Sequence, residues 1–170
     1  MLTGLPNRAS LDARLEREYR KSLKRQSPLT VMYLDLDGFK TVNDGLGHPV
    51  GNRMLVAVAK RLRQYVAAGD MLARVGGDEF IFLLPHLPHH DAAAEAAKNI
   101  LEAFESPFDI DGKMLHISTS IGSPVVAQTL GARRNCCNMP TWPWRARNAR
   151  GAIPGSGIKV VATRARASMY

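Results

Sequence analysis

The chain has 170 residues, 45% of them hydrophobic and 22% charged, with a formal net charge of +8; that length and balance suit one globular domain with a substantial core. No apolar run has the length of a membrane span and no secretory signal opens the chain. The two cysteines, Cys136 and Cys137, are adjacent, which gives no zinc spacing and disfavours a structural disulfide, so a cytoplasmic location is expected.

In chain order, residues 7–26 are expected to be helical. Asn7 can cap, and Leu11, Leu15, Tyr19 and Leu23 recur every four residues before Ser27-Pro28 ends the run. "LTVMYLDLD", 29–37, is a buried strand whose end meets two acids. "GFKTVNDGLGHPVG", 38–51, is expected to be a short helical turn and loop. A second helix covers 52–66, with Met54, Leu55, Val58, Ala59, Leu62 and Val66 on one face. Strands follow at 71–75 and 79–85, joined at Gly76-Gly77, where positive φ is expected. An Ala-rich helix, 90–105, precedes "FDIDGKMLHISTSIG", 108–122, expected to be a hairpin turning at Asp111-Gly112. The order αβαββαββ implies an α+β domain, a mixed sheet with helices packed on it.

The charge is unevenly distributed. Residues 123–170 hold 8 of the 23 Lys and Arg and none of the 15 Asp and Glu, so residues 1–122 carry 15 of each and are neutral. Nucleic-acid binding, which the net charge suggests, is disfavoured by that neutrality and by the lack of a basic or aromatic stripe.

The acids carry the chemical signal. Asp35 and Asp37 end the first strand, while Asp78 and Glu79 open the strand after the two glycines. If those strands are neighbours, three or four carboxylates converge on one sheet edge. Such a cluster repels itself unless a cation neutralises it, and hard oxygen ligands favour Mg²⁺. Acids from two adjacent strands are also how two-metal nucleotidyl-transfer sites are built. Either pair alone reads as a solvated strand end or a plain turn. A calcium loop is excluded, because Phe39 stands where a third ligand is required.

"RVGGDEF" at 74–80 resembles the signature of GGDEF domains, the diguanylate cyclases. "LTGLPNR" at 2–8, "DLDGFKTVNDGLGH" at 35–48 and "SIG" at 120–122 resemble further family segments, in order and at family-like spacing. The resemblance covers roughly residues 2–122. It implies a palm-like fold with a mixed or antiparallel central sheet and helices packed around it. It implies condensation of two GTP into cyclic di-GMP in bacterial signalling. It implies Mg²⁺, with Mn²⁺ able to replace it, and a homodimer for catalysis, since each domain holds one GTP. By the same resemblance Asp35 and Asp78, with the Leu36 carbonyl, would ligate the metal, and Glu79 would help deprotonate the attacking 3′-hydroxyl. Asn43 would hydrogen-bond guanine. Phe39 and Lys40 would pack around the phosphates, and Gly76 and Gly77 would let the backbone approach the nucleotide. His48 is read as structural. An upstream sensor domain is expected outside this chain.

Three departures qualify these expectations. Asn52 stands where the family usually has Asp facing guanine; an amide accepts without charge, so weaker GTP binding is expected. Ala67 replaces the arginine of the product-feedback segment, leaving Asp70 without its partner. After Gly122 no family pattern is visible. Built from the last base of one codon and the first two of the next, "NCCNMPTWPW" is compatible with "LLQHADMAM", and "RNARGAIPGSGI" with "AKRAGRNTWQWY". The last two bases of each Met codon, TG, are fixed by Trp142 and Trp144 and fit. The expected division is therefore a truncated GGDEF domain, 1–122, and an aberrant, poorly packed, frameshifted basic tail, 123–170. The alternative function is a catalytically inactive GGDEF module that binds GTP or relays a signal.

Overall fold

A computed structural model of the protein describes residues 2–87 and 90–127; the tail expected to be aberrant lies outside these from residue 128 onward. Ten elements follow in chain order: α1 (Arg8–Arg25), β1 (Leu29–Asp37), α2 (Phe39–Leu46), α3 (His48–Arg63), β2 (Met71–Arg74), β3 (Glu79–Leu84), α4 (His90–Ala103), β4 (Phe108–Ile110), β5 (Lys113–Leu115) and β6 (Ser118–Ala127). The main sheet has the order β2-β3-β1-β6, with β1 antiparallel to both of its neighbours. Mixed helices and an antiparallel sheet make this the expected α+β architecture.

Period-two alternation places the core. Met32, Leu34 and Leu36 of β1 share a face with Phe80, Phe82 and Leu84 of β3. Met54, Leu55, Val58, Ala59 and Leu62 of α3 pack on that face, joined by Ile100 of α4 and by Phe104 just after it. The opposite face, with Ile81, Leu83 and Ala73, is covered by α1 through Leu11, Leu15 and Tyr19. Asn7 caps α1 as expected, its Oδ1 accepting the Ser10 N–H at 2.9 Å. Leu23 departs from the expected stripe and is 44% exposed. A four-residue repeat drifts about 40° per step on a helix of 3.6 residues per turn, so the fourth member rotates off the buried face.

Three elements differ from expectation. The glycine-rich stretch 38–51 is helical almost throughout. Gly38 and Gly47, at φ 74° and 83°, bracket α2 and make the breaks, so α3 begins at His48 with Pro49 in its first turn. The segment 108–122 is not one hairpin. β4 and β5 pair with each other around Asp111-Gly112, while β6 leaves them to join β1. β6 also continues past Gly122 to Ala127. The register moves from Tyr33↔Gly122 to Val31↔Val125, so β6 carries one extra residue there. The bulge coincides with Ser123-Pro124, where proline cannot donate to the ladder.

The segment before α1 lies along the free edge of β2. The Arg74 N–H donates to the Pro6 carbonyl (3.0 Å) and Leu5 is buried. Arg63 ties the same segment down through the Thr3 carbonyl at 3.1 Å.

Arg61 is the main clamp between α3 and the end of α4. Its guanidinium donates to the carbonyls of Ala103, Ser106 and Pro107 at 2.9, 2.6 and 2.8 Å and lies 3.4 Å from the Phe108 ring centroid. Burial pulls its pKa down, and the Tyr65 charge opposes that. Arg61→Ala is expected to cost about 2–3 kcal/mol in urea unfolding, because charged donors to several carbonyls and a stacked ring are lost together. Arg61→Lys should recover only part, since an ammonium cannot reproduce the planar fork.

Candidate active site

The site forms where β1 and β3 run out of apolar residues. The antiparallel register sets Asp35 opposite Glu79, and the Leu36 N–H donates to the Asp78 carbonyl at 3.3 Å. Cross-strand partners share a face, so the Asp35 and Glu79 side chains emerge together, beyond the part covered by α1. Asp35, Asp78 and Glu79 are half-buried.

Asp37 goes elsewhere. Its two carboxylate oxygens accept from the Ser118 and Ser120 hydroxyls of β6 at 3.1 and 2.7 Å. The Thr119 hydroxyl donates to the Asp35 carbonyl at 3.0 Å. Among the described residues no group of three or more His, Cys, Asp or Glu is arranged to hold a metal ion. The expected convergence of three or four carboxylates therefore does not form as such, because β6 hydroxyls satisfy the fourth. Asp35, Asp78 and the Leu36 carbonyl are an all-oxygen donor set with two carboxylates. That set fits Mg²⁺, which typically takes one or two carboxylates and completes its shell with water and substrate phosphate.

The loop between β2 and β3 differs from expectation in its backbone. Neither Gly76 nor Gly77 has positive φ. The loop closes instead through the Val75 N–H to the Glu79 carbonyl (3.0 Å) and through Arg74, whose Nε and Nη2 donate to the Gly77 carbonyl at 3.1 and 2.7 Å. Gly76 is needed for another reason. A Cβ there would strike the Glu79 carboxylate, with Cδ at 2.9 Å and Cβ at 3.3 Å. A Cβ on Gly77 would meet nothing within 4 Å.

A second group gathers at the α2–α3 corner. Asn43 is half-buried, its carboxamide against Gly51, and Asn52 is exposed in the first turn of α3. Lys40 is exposed on α2. Phe39, expected near the phosphates, is 7% exposed and belongs to the main core. His48 is exposed at the start of α3. At the sheet's far edge Asp70 accepts the Ala67 N–H at 3.2 Å, which ties the departed feedback segment into its own turn. Burial pushes the Asp70 carboxyl up, partly offset by that bond and by His86.

Two residues at the site were not singled out from sequence. Arg74 holds the loop, and burial pulls its pKa down while the Asp78 charge opposes that. Its signal was a cation two residues before the first glycine of the motif. Tyr33 stands two residues before Asp35, on the same strand face. Burial pushes its hydroxyl up; the Arg8 charge opposes this and the Asp12 and Glu79 charges add to it. Strict alternation back from Asp35 would have found it.

With this geometry the comparisons agree. The family model of the diguanylate cyclase GGDEF domain matches residues 1–135. The chain belongs to the GGDEF family. It is 43% identical over 121 residues to the bifunctional diguanylate cyclase/cyclic di-GMP phosphodiesterase MucR of Pseudomonas aeruginosa, which covers 71% of this chain and 18% of that protein. It is 40% identical over 122 residues to the diguanylate cyclase TpbB of the same species, covering 71% of this chain and 28% of that protein. The chain thus spans less than a third of either relative. The crystal structure of the GGDEF domain of YfiN (TpbB) from P. aeruginosa superposes with a TM-score of 0.71 at 38% identity, over 73% of this chain and 77% of that one.

The two glycines should respond differently to a methyl group. Gly76→Ala is expected to lose about 1 kcal/mol in denaturant unfolding, because Glu79 must move. Gly77→Ala should stay within about 0.5 kcal/mol. Equal losses at both positions would show that the Gly76–Glu79 contact is not what the loop depends on.

Proposed function

We propose that this chain is the cyclase domain of a longer signalling protein, and that it condenses two GTP into cyclic di-GMP with release of pyrophosphate. The observation that carries the reading is the β1–β3 register, which sets Asp35 against Glu79, with the Leu36 N–H on the Asp78 carbonyl, at one end of the two inner strands. The family's relatives named as diguanylate cyclases support it.

In this reading Asp35, Asp78 and the Leu36 carbonyl hold Mg²⁺ or Mn²⁺. Bound there, the ion lowers the pKa of the attacking hydroxyl and offsets charge on the leaving group. Asn43 and Asn52 present carboxamides to the guanine edge, and Lys40 offers its charge to the phosphates. The open space at Gly77 leaves the loop backbone free to meet the triphosphate. Glu79 takes the proton as the 3′-oxygen of one GTP bonds to the α-phosphorus of the other. The bond from that phosphorus to pyrophosphate breaks, and the reciprocal attack by the second GTP's 3′-oxygen closes the ring and releases a second pyrophosphate. The missing side chain at Gly76 leaves room for the Glu79 carboxylate in this position. Each domain holds one GTP, so two copies must face each other, and a monomer binds without turnover. Input comes from a sensor domain elsewhere in the full protein. A cytoplasmic placement belongs to the same reading; among the described residues no helix is long and apolar enough to cross a membrane.

Asp78→Asn should abolish Mg²⁺-dependent GTP binding while the unfolding transition stays within about 0.5 kcal/mol, because a partly exposed loop acid contributes little to stability. Unchanged GTP affinity in the folded variant would remove Asp78 from the metal site.

The inactive alternative is favoured by one feature, the acid-free stretch after Gly122. In the proposed division the chain after β6 stands where the other reading frame would supply the basic segment "AKRAGRN", whose phosphate contacts would be worth roughly 1.5–3 kcal/mol each. Little cyclic di-GMP production is therefore expected from the chain as it stands. Restoring the other reading frame after Gly122 should raise both solubility and turnover at concentrations that allow dimers. Equal production by the two purified proteins would overturn the frameshift account.

A further inference from the structure

The geometry points to Gly51 as a positioning residue that sets base selectivity by seating Asn43; the inference rests on the assignment of Asn43 to the nucleobase made above. α2 and α3 meet at a single glycine. The Gly47 N–H donates to the Asn43 carbonyl at 2.9 Å, and the Gly51 N–H donates to the Gly47 carbonyl at 3.2 Å. One turn into α3, Gly51 is buried. A Cβ there would overlap the Asn43 carboxamide, with Cγ at 3.0 Å, and would lie 3.3 Å from the edge of the Phe39 ring. The carboxamide thus occupies the volume that a side chain at 51 would fill.

The two neighbours can yield to different degrees. Phe39 is locked in the main core at 7% exposure. The Asn43 carboxamide is the end of a flexible, half-buried side chain. A methyl group at position 51 therefore displaces Asn43 and leaves the helix intact. Gly51 has no positive φ, and alanine favours a helix interior over glycine. Local propensity argues against glycine here, and the Asn43 contact supplies the reason for it. Asn52 follows directly in the same turn, so α3 carries both the seat for one carboxamide and the other carboxamide itself.

The test is titration of Mg²⁺·GTP and Mg²⁺·ATP into the full chain and three variants, Gly51→Ala, Asn43→Ala and the double variant, with thermal unfolding of each. ATP shares the triphosphate and differs in the base. Gly51→Ala is expected to unfold at the same temperature as wild type or higher. Its GTP affinity should fall about tenfold, the scale of one or two lost hydrogen bonds, with ATP affinity unchanged. Asn43→Ala should lose the same factor and the double variant no more than either. Retained GTP preference in Gly51→Ala, equal loss for both nucleotides, or additive losses in the double variant would overturn the inference. If Gly51→Ala fails to fold, recovery of the transition on adding Asn43→Ala upholds the contact, and no recovery assigns the clash to Phe39 and overturns it. A wild-type chain without GTP preference, or an Asn43→Ala variant that keeps it, would refute the assignment of Asn43 to the base, a separate failure.

Discussion

The antiparallel register between β1 and β3 fixes everything else in the site. Met32 and Leu34 enter the main core opposite Phe82 and Phe80, and Leu36 follows them into it beyond the last position paired with β3. The alternate residues Val31, Tyr33 and Asp35 face the α1 side with Leu83, Ile81 and Glu79. A slip of one residue would turn Asp35 and Glu79 into the apolar core and expel Leu34 and Phe80. Burying unpaired carboxylates costs several kcal/mol each, and the expelled side chains lose roughly 1.5–3 kcal/mol apiece. The acids are thus held in place by the hydrophobic pattern of the strands behind them. Their own mutual interactions, which are repulsive without a cation, contribute nothing to that placement.

Arginine plays an unusual part in closing this frame. Arg14, Arg61, Arg63 and Arg74 all donate to backbone carbonyls of loops: Gly69, the α4–β4 turn, Thr3 and Gly77. Each joins segments distant in sequence except Arg74, which acts within its own loop. A guanidinium reaches several carbonyls from one planar group, which an ammonium cannot. These cations are spent on loop geometry, within a stretch, residues 1–122, whose charges balance. Glu18 shows the complementary case. Its side chain is 4% exposed and ringed by Arg14, Arg17 and Lys21 at 3.0, 3.5 and 3.1 Å. Burial raises its pKa, but the Lys21 hydrogen bond and the three positive charges outweigh that and hold it below the ordinary carboxylate value.

How much of this was legible in the sequence depended on whether the signal was periodic. β1, β3, α1 and the buried face of α3 were, because alternation and helical spacing are local properties that tertiary packing did not override. The stretch 38–51 was not. Its glycines suggested a loop, yet only Gly38 and Gly47 adopt the left-handed backbone that breaks a helix; Gly45 and Gly51 lie inside helices. Which glycines break a helix is decided by φ, which composition does not encode. β5 and β6 were merged because one apolar-polar run spans both, and the change of sheet at His116-Ile117 leaves no turn residue to mark it. The candidate acids were legible for a simple reason: apolar strands end abruptly at them.

Gly51 and Gly76 show why the rest of the site was not. Each lacks a side chain where a candidate site residue from another position has folded over it, Asn43 in one case and Glu79 in the other. Neither adopts positive φ, so neither is required by its own backbone. A glycine of this kind leaves room for a rotamer of its neighbour that a Cβ would exclude. Ordering a long polar side chain costs up to about 2 kcal/mol, and a pre-formed seat places part of that cost in folding instead of binding. In sequence such a seat looks the same as a turn glycine. Only the fold distinguishes it, by the carboxamide or carboxylate that fills the space a side chain would need.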